Sequence, residues 1–285
     1  FYNSIKKYFL SIPAWKFHPK LNEYLCPGRF GRFDAKCRIP VSGSVLWSRE
    51  IREIVETPEF QRLRGVRQLG PAIFVFPGAN HTRFEHSLGT YHLSLEYLEN
   101  LTGIPAFEEF CEPIDDLIKL IVLSCLLHDI GHYPYSHWIE EIEEFPDGTR
   151  FPSHEKRART ILNKGKIKDL IEKEWKIDIE KLLDSISGDN IENELVLVDS
   201  FIESIIGVDK VDYLIRDSIH CGVEYGKGID IERLLDSLYI NRENGKMCIT
   251  NKGLSPLFSI LNCRNIMRQQ VYWHKTVRSC DAMFK

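Results

Sequence analysis

Apolar positions recur along this chain with the three-to-four spacing of helices, and only briefly with the alternation of strands. The run from Leu117 to Leu127, interrupted only by Lys119 and Ser124, is too long for a strand and too short to span a bilayer, so it predicts a buried helix. Similar patterning predicts helices near residues 48–68, 83–101, 114–129, 135–144, 154–164, 167–174, 195–205, 208–219, 230–238 and 254–280. Asp147-Gly148 and Ser187-Gly188-Asp189-Asn190 read as loops. One β-hairpin is expected between Ser237 and Thr250, with Asn244-Gly245 as a type I′ turn. Residues 1–44, rich in Pro, Gly and aromatics, are expected to form an irregular arm. The fold class is therefore all-α with a small hairpin near 237–250. No internal repeat, low-complexity tract or heptad run is present.

Chemistry enters at the end of the most apolar run, where His128 is followed directly by Asp129. Ionisable groups at the end of a buried helix are costly unless paired or bound to a metal. Joined by His86 upstream and Asp209 downstream, they make an ordered set of two imidazoles and two carboxylates. Such a mixed nitrogen and oxygen shell suits a divalent ion: Mn, Fe, Co, Ni, Zn or, less readily, Mg. An ion held this way activates water and polarises a phosphoryl oxygen, which is hydrolytic chemistry. Seven of the ten histidines (His81, His86, His92, His128, His132, His137 and His154) fall between positions 81 and 154. His132 lies i+4 from His128 and shares its face if the helical turn continues through Ile130 and Gly131. His18, His92, His220 and His274 are read as structural.

Arg83-Phe84-Glu85-His86-Ser87-Leu88-Gly89, His128-Asp129-Ile130-Gly131-His132 and Tyr135-Ser136-His137 resemble the HD superfamily. Gln61-Arg62-Leu63-Arg64, Gln68-Leu69-Gly70, Phe76-Pro77-Gly78-Ala79, the run from Val208 to Asp217, Arg264-Asn265 and Tyr272 extend the resemblance. They are similar to deoxynucleoside triphosphate (dNTP) triphosphohydrolases related to the sterile-alpha-motif and HD-domain protein. The resemblance covers residues 38–285 and implies one HD phosphohydrolase domain over 45–285, with the further C-terminal lobe of relatives absent or truncated. It implies hydrolysis of a dNTP at the α-phosphorus to a deoxynucleoside and inorganic triphosphate. By the same resemblance His86, His128, Asp129 and Asp209 hold the metal. Arg83, Lys210, Tyr213 and Arg264 contact the triphosphate, whose negative charge calls for such cations. His137 is the general acid, Glu140 orients it, and His132 and His154 line the phosphates. Gln68, Leu69, Asp217 and Tyr272 read the sugar. A second expectation, another HD phosphohydrolase or phosphodiesterase acting on nucleotides or single-stranded nucleic acid, is distinguished by its products.

The sequence departs from the family pattern at Trp273, where a Gln is usual, Arg268, where a His is common, and Glu140, where an Asp is common; the first two belong near the nucleoside pocket. Trp273 is weighed as a base-stacking residue against a core aromatic. Pro40-Val41-Ser42-Gly43-Ser44 is a degenerate form of a segment that helps build an activator site in relatives. Glu56, Gln61 and Arg64 still match guanine-reading positions, so activation by a guanine nucleotide or a dNTP is an expectation; the competing reading is a solvated charged helix face. A homo-oligomer, dimer or tetramer, is implied by the resemblance alone.

Composition excludes more than it specifies. The chain has 285 residues, 43% hydrophobic and 27% charged, which is enough for one large core. A net charge of −4 argues against nonspecific duplex nucleic-acid binding, which needs a basic face. Eight cysteines without a CxxC pair read as reduced thiols, hence a cytoplasmic or nuclear protein. Phe1–Trp15 carries Lys6 and Lys7 within a short apolar stretch and is not read as a membrane span; no membrane partner is expected.

Overall fold

The computed structural model describes residues 35–102, 104–110, 114–135, 139, 151–191 and 195–284. The expected general acid His137, its partner Glu140 and the loop Asp147-Gly148 lie outside the described residues, as does most of the 135–144 helix.

A hairpin of β1 (Ala35–Ile39) and β2 (Gly43–Trp47) comes first, with Ala35 opposite Trp47 and Ile39 opposite Gly43. This corrects the expectation of an irregular arm to residue 44. The five-residue alternation of Ala35–Ile39 is short, and Pro40, Val41 and Ser42 form the turn it serves, with Gly43 opening β2, rather than ending a coil. The predicted helix over 48–68 is also divided. Ser48 caps α1 (Arg49–Val55), accepting from the Ile51 amide, and Thr57 caps α2 (Pro58–Gln61), accepting from Phe60. Pro58 at the first helical position has no amide to continue the earlier ladder, so the chain restarts there.

The core is built around α3 (Arg83–Leu101) and, after α4 (Pro105–Phe110), α5 (Ile114–Leu127). Every residue of α5 from Leu120 to Leu127 is buried. Each such aliphatic side chain contributes about 1.5–3 kcal/mol relative to exposure. α6 (His154–Leu162) and α7 (Gly165–Asp169) follow, and a π turn extends α7 to Trp175. α8 (Ile179–Ser187), α9 (Leu195–Ile202) and α3 pack on α5. α10 (Val208–Cys221) lies against α3 on one side and α12 (Leu254–Met267) on the other. The predicted 254–280 helix is interrupted by a π turn at Arg268–Tyr272 before α13 (Lys275–Phe284).

After α11 (Ile231–Leu235), the second hairpin pairs β3 (Leu238–Ile240) with β4 (Met247–Ile249), as the alternation predicted. Its turn differs from expectation. Asn241 and Lys246 still pair, and the Gly245 amide reaches back to the Asn241 carbonyl at 2.8 Å. Only Gly245 has positive φ (67°), so the loop is four residues closed by a left-handed glycine and not a two-residue type I′ turn. The fold is thus mostly helical with two small hairpins. Among the described residues no helix is long and apolar enough to cross a membrane.

Candidate functional site

Three helix ends meet at one point. His86 lies in the first turn of α3, His128 and Asp129 directly follow α5, and Asp209 lies in the first turn of α10. A carboxylate at a helix N-terminus is favoured by the exposed amides there, which suits Asp209. The His86, His128 and Asp129 ligand atoms lie within 4.8 Å of one another. Asp209 Oδ1 joins them, 3.0 Å from His86 Nε2 and 3.6 Å from His128 Nε2. The structure therefore brings all four expected ligands together.

Both imidazoles are oriented from behind. His128 Nδ1 donates to the Cys125 carbonyl at 2.9 Å, while its Nε2 is buried with no hydrogen-bond partner. His86 Nδ1 donates to Asp212 Oδ2 at 2.8 Å. Asp212 in turn accepts from Arg216 Nε and Nη2, both at 2.8 Å. An imidazole whose far nitrogen is bonded presents its near nitrogen to a metal, and an orphaned Nε2 facing carboxylates is that arrangement. The residues fit a divalent ion.

Electrostatics agree. Burial alone would push His86 down, but hydrogen bonds to Asp209 and Asp212 raise it to about 10. Burial would raise Asp129, yet the Arg83 guanidinium and the neighbouring histidines hold it well below the carboxylate range. Asp209 is lowered likewise by His128 and His86 against its burial. Without a metal, imidazolium and guanidinium supply the positive charge that three acidic groups demand.

The turn after Asp129 is shaped by packing. Gly131 admits no side chain, because a Cβ there would lie 1.9 Å from the His154 carbonyl oxygen. That approach sets the His132 and His154 rings 4.1 Å apart. His132 Nδ1 lies 3.1 Å from Asp129 Oδ1, so it reaches the cluster although α5 has already ended. Arg62 and Arg157 both donate to the His132 carbonyl, at 2.7 and 3.0 Å, and Arg62 also bonds the Ile130 carbonyl.

A cavity of about 550 Å³ opens from this cluster. His128, Asp129, Asp209, Arg83, His132 and His154 line it, together with Gln68, Leu69, Tyr213, Asp217 and Tyr272. Tyr272, on the π turn, donates to Asp217 Oδ2 at 2.7 Å. The expected phosphate cations are engaged or lie off the wall. Arg83 Nη1 is bonded to Asp129 Oδ2 at 2.6 Å. Lys210 is tied to Glu203 by its carbonyl at 2.7 Å and its carboxylate at 3.3 Å. Arg264 is exposed and absent from the cavity wall, though it interacts with Tyr213. Trp273 is exposed, lies outside the wall and has the Arg268 guanidinium over its ring at 4.1 Å. Glu56, Gln61 and Arg64 also lie outside this wall: Arg64 bonds Gln61 at 2.7 Å and sits 3.6 Å over Phe84.

Asp212 and Arg216, within the Val208–Asp217 run, carry no role in the sequence pattern, nor do His81 and Glu85, and His220 reads there as structural. Asp209, Asp212 and Arg216 follow at i, i+3 and i+7 on α10, a spacing that places them on one helix face. Gly89 was the other signal. A Cβ there would lie 2.2 Å from both Asp212 Oδ1 and Arg216 Nη2.

Residues 83–200 match the HD domain family, and the chain contains an HD domain. It is 36% identical over 236 residues to an uncharacterized protein of Methanocaldococcus jannaschii, covering 82% of this chain and 44% of that protein. It is 31% identical over 248 residues to the deoxynucleoside triphosphate triphosphohydrolase SAMHD1 homolog of Dictyostelium discoideum (82% and 45%). Among solved structures, a hypothetical protein from Aquifex aeolicus superposes with a TM-score of 0.72 at 34% identity, over 86% of this chain and 61% of that one. A phosphohydrolase from Bacteroides thetaiotaomicron gives 0.73 at 28% identity, over 87% and 57%. The chain spans about half the length of the curated relatives it matches.

Proposed function

We propose that this protein is a metal-dependent dNTP triphosphohydrolase, releasing a deoxynucleoside and inorganic triphosphate. The observation that carries the reading is the single cavity joining a metal-binding cluster to a hydroxyl-reading wall of Gln68, Leu69, Asp217 and Tyr272. Likeness to a protein described as a dNTP triphosphohydrolase homolog supports it. His86, His128, Asp129 and Asp209 hold the ion, which supplies Lewis acidity and an activated water. His132 and His154 steady the phosphates. His137, oriented by Glu140, protonates the departing 5′ oxygen, which leaves poorly as an alkoxide. Leu69 and the Tyr272 ring crowd the sugar's 2′ carbon, so ribonucleotides are disfavoured by sterics worth a few kcal/mol. Glu56, Gln61 and Arg64 remain the proposed activator contacts, in a homo-oligomer.

A second reading is favoured by the cations. Arg83 is engaged with Asp129, Lys210 with Glu203, and Arg264 lies off the cavity wall. A site whose cations are engaged by carboxylates or lie off its wall suits a smaller charge, such as a monophosphate or phosphodiester. Ion-exchange analysis of products from metal-loaded protein decides: triphosphate with deoxynucleoside supports the first reading, and inorganic phosphate or a nucleoside monophosphate the second. Adding GTP to each dNTP tests activation in the same experiment.

A further inference from the structure

We infer that His81, which stands behind the cavity lining, is the positioning residue that holds Asp217 in register with Gln68 at the sugar subsite and thereby sets the preference for a 3′ hydroxyl. The inference rests on the proposed assignment of Asp217 and Gln68 as sugar readers.

His81 is buried, and its ring Nε2 donates to Asp217 Oδ1 at 2.8 Å across 136 residues of sequence. Tyr272 holds the other oxygen, Oδ2, at 2.7 Å. A carboxylate gripped at both oxygens has a fixed plane, yet each oxygen keeps a lone pair for a ligand hydroxyl. The same residue also reaches Gln68, which lines the same cavity, through its backbone, because the Gln68 amide donates to the His81 carbonyl at 3.1 Å. Flanking contacts zip that joint closed: Arg67 bridges Thr82, and the Arg83 amide donates to the Val66 carbonyl at 2.8 Å. Gln68 Oε1 is itself buried without a hydrogen-bond partner, an acceptor available beside Asp217 in the same cavity. One residue therefore grips the Asp217 carboxylate through its side chain and the Gln68 backbone through its own.

His81 is in turn braced. Its ring stacks on His220 at 4.3 Å, and His220 Nε2 lies 3.5 Å from Glu85 Oε2. Glu85 approaches Arg216, the residue that holds Asp212 behind His86. The sugar wall and the metal cluster thus share one buried polar frame. Loss of the His81 imidazole frees the Asp217 carboxylate to rotate about Tyr272 while leaving every metal ligand in place.

The test compares binding of each 2′-deoxynucleoside with its 2′,3′-dideoxy counterpart by ligand-observed NMR on metal-loaded wild type, His81→Ala and His81→Gln. Nucleosides carry no phosphate, so no turnover intrudes. One well-placed hydrogen bond gives wild type a preference of about tenfold for the 3′ hydroxyl. His81→Ala is expected to bring the ratio near one at unchanged metal stoichiometry, and His81→Gln, which keeps a donor, to restore part of it. A ratio retained in folded His81→Ala, or wild type lacking hydroxyl-dependent binding, overturns the inference. Failure of wild type to release triphosphate from dNTPs, with the nucleoside ratios behaving as expected, sinks the proposed reaction and leaves the positioning role standing.

Discussion

Asp212 sits directly behind His86, its Oδ2 2.8 Å from Nδ1, on the side away from the metal-facing Nε2. Substitution of such an outer partner costs a ligand orientation and basicity, typically 10- to 100-fold in metal affinity. Asp212→Asn is therefore expected to weaken metal binding by about that factor, measured by chelator competition on folded protein, whereas Asp209→Ala should abolish stoichiometric binding. Unchanged affinity in Asp212→Asn would reduce Asp212 to a counter-charge for Arg216.

Gly89 makes that pair possible. An Ala methyl there would overlap Asp212 and Arg216 at 2.2 Å, both buried and mutually bonded. Overpacking of this kind costs about 1–3 kcal/mol, or roughly 2–4 °C of melting temperature per kcal/mol in a chain of this size. Gly65→Ala is the control: a Cβ at that position meets nothing within 4 Å, so the melt should hardly move. Equal melting of the two variants would show that the pair adjusts freely.

His92 and Glu96 form a half-buried pair on α3, 3.7 Å apart. Burial pushes His92 down to about 4 and, with Glu99 near, pushes Glu96 up to about 7. The depressed base costs stability as pH falls below its unfolded value; the raised acid costs stability as pH rises from its unfolded value through 7. The two costs oppose each other, so the pair's net contribution should be nearly flat in this window. Glu96→Gln removes only the acid's share. Its stability relative to wild type should grow between pH 4.5 and 7, by about 1–2 kcal/mol once the pair's mutual attraction is discounted. A pH-independent difference in melting temperature would refute the assignment.

His137→Ala should lower kcat by roughly 10²–10⁴ while leaving nucleotide binding largely intact, if it is the general acid. A near-normal rate would put that proton on another group.

The clustering of His86, His128, Asp129 and Asp209 was legible because chemistry constrains residue type: a His-Asp pair at the end of the buried Leu117–Leu127 run has few innocent explanations. The α5 helix was equally plain, since its apolar run admits one interpretation. Local signals were weaker where they competed. Thr57-Pro58 marks a helix start but sits inside a longer amphipathic pattern, and Ile179–Ser187 was not predicted despite Asp178 as N-cap and left-handed Gly188 as its end. The roles of His81, Asp212 and Arg216 were hidden for another reason. His81 and Asp212 bond partners 136 and 126 residues away, and Arg216 reaches the Pro40 carbonyl across 176. No local pattern encodes such distances.

The burial of α5 also bears on how the site behaves in time. His128 takes its orientation from the Cys125 carbonyl inside a helix whose final eight residues are all buried, so its amide neighbourhood opens only when the core does. Tyr272, on the far wall, hangs from a π turn with Trp273 exposed beside it. Amide hydrogens around residues 125–128 should exchange at the rate of global unfolding, and those of 268–273 far sooner. One rim of the cavity keeps the clock of the whole molecule, and the other keeps its own.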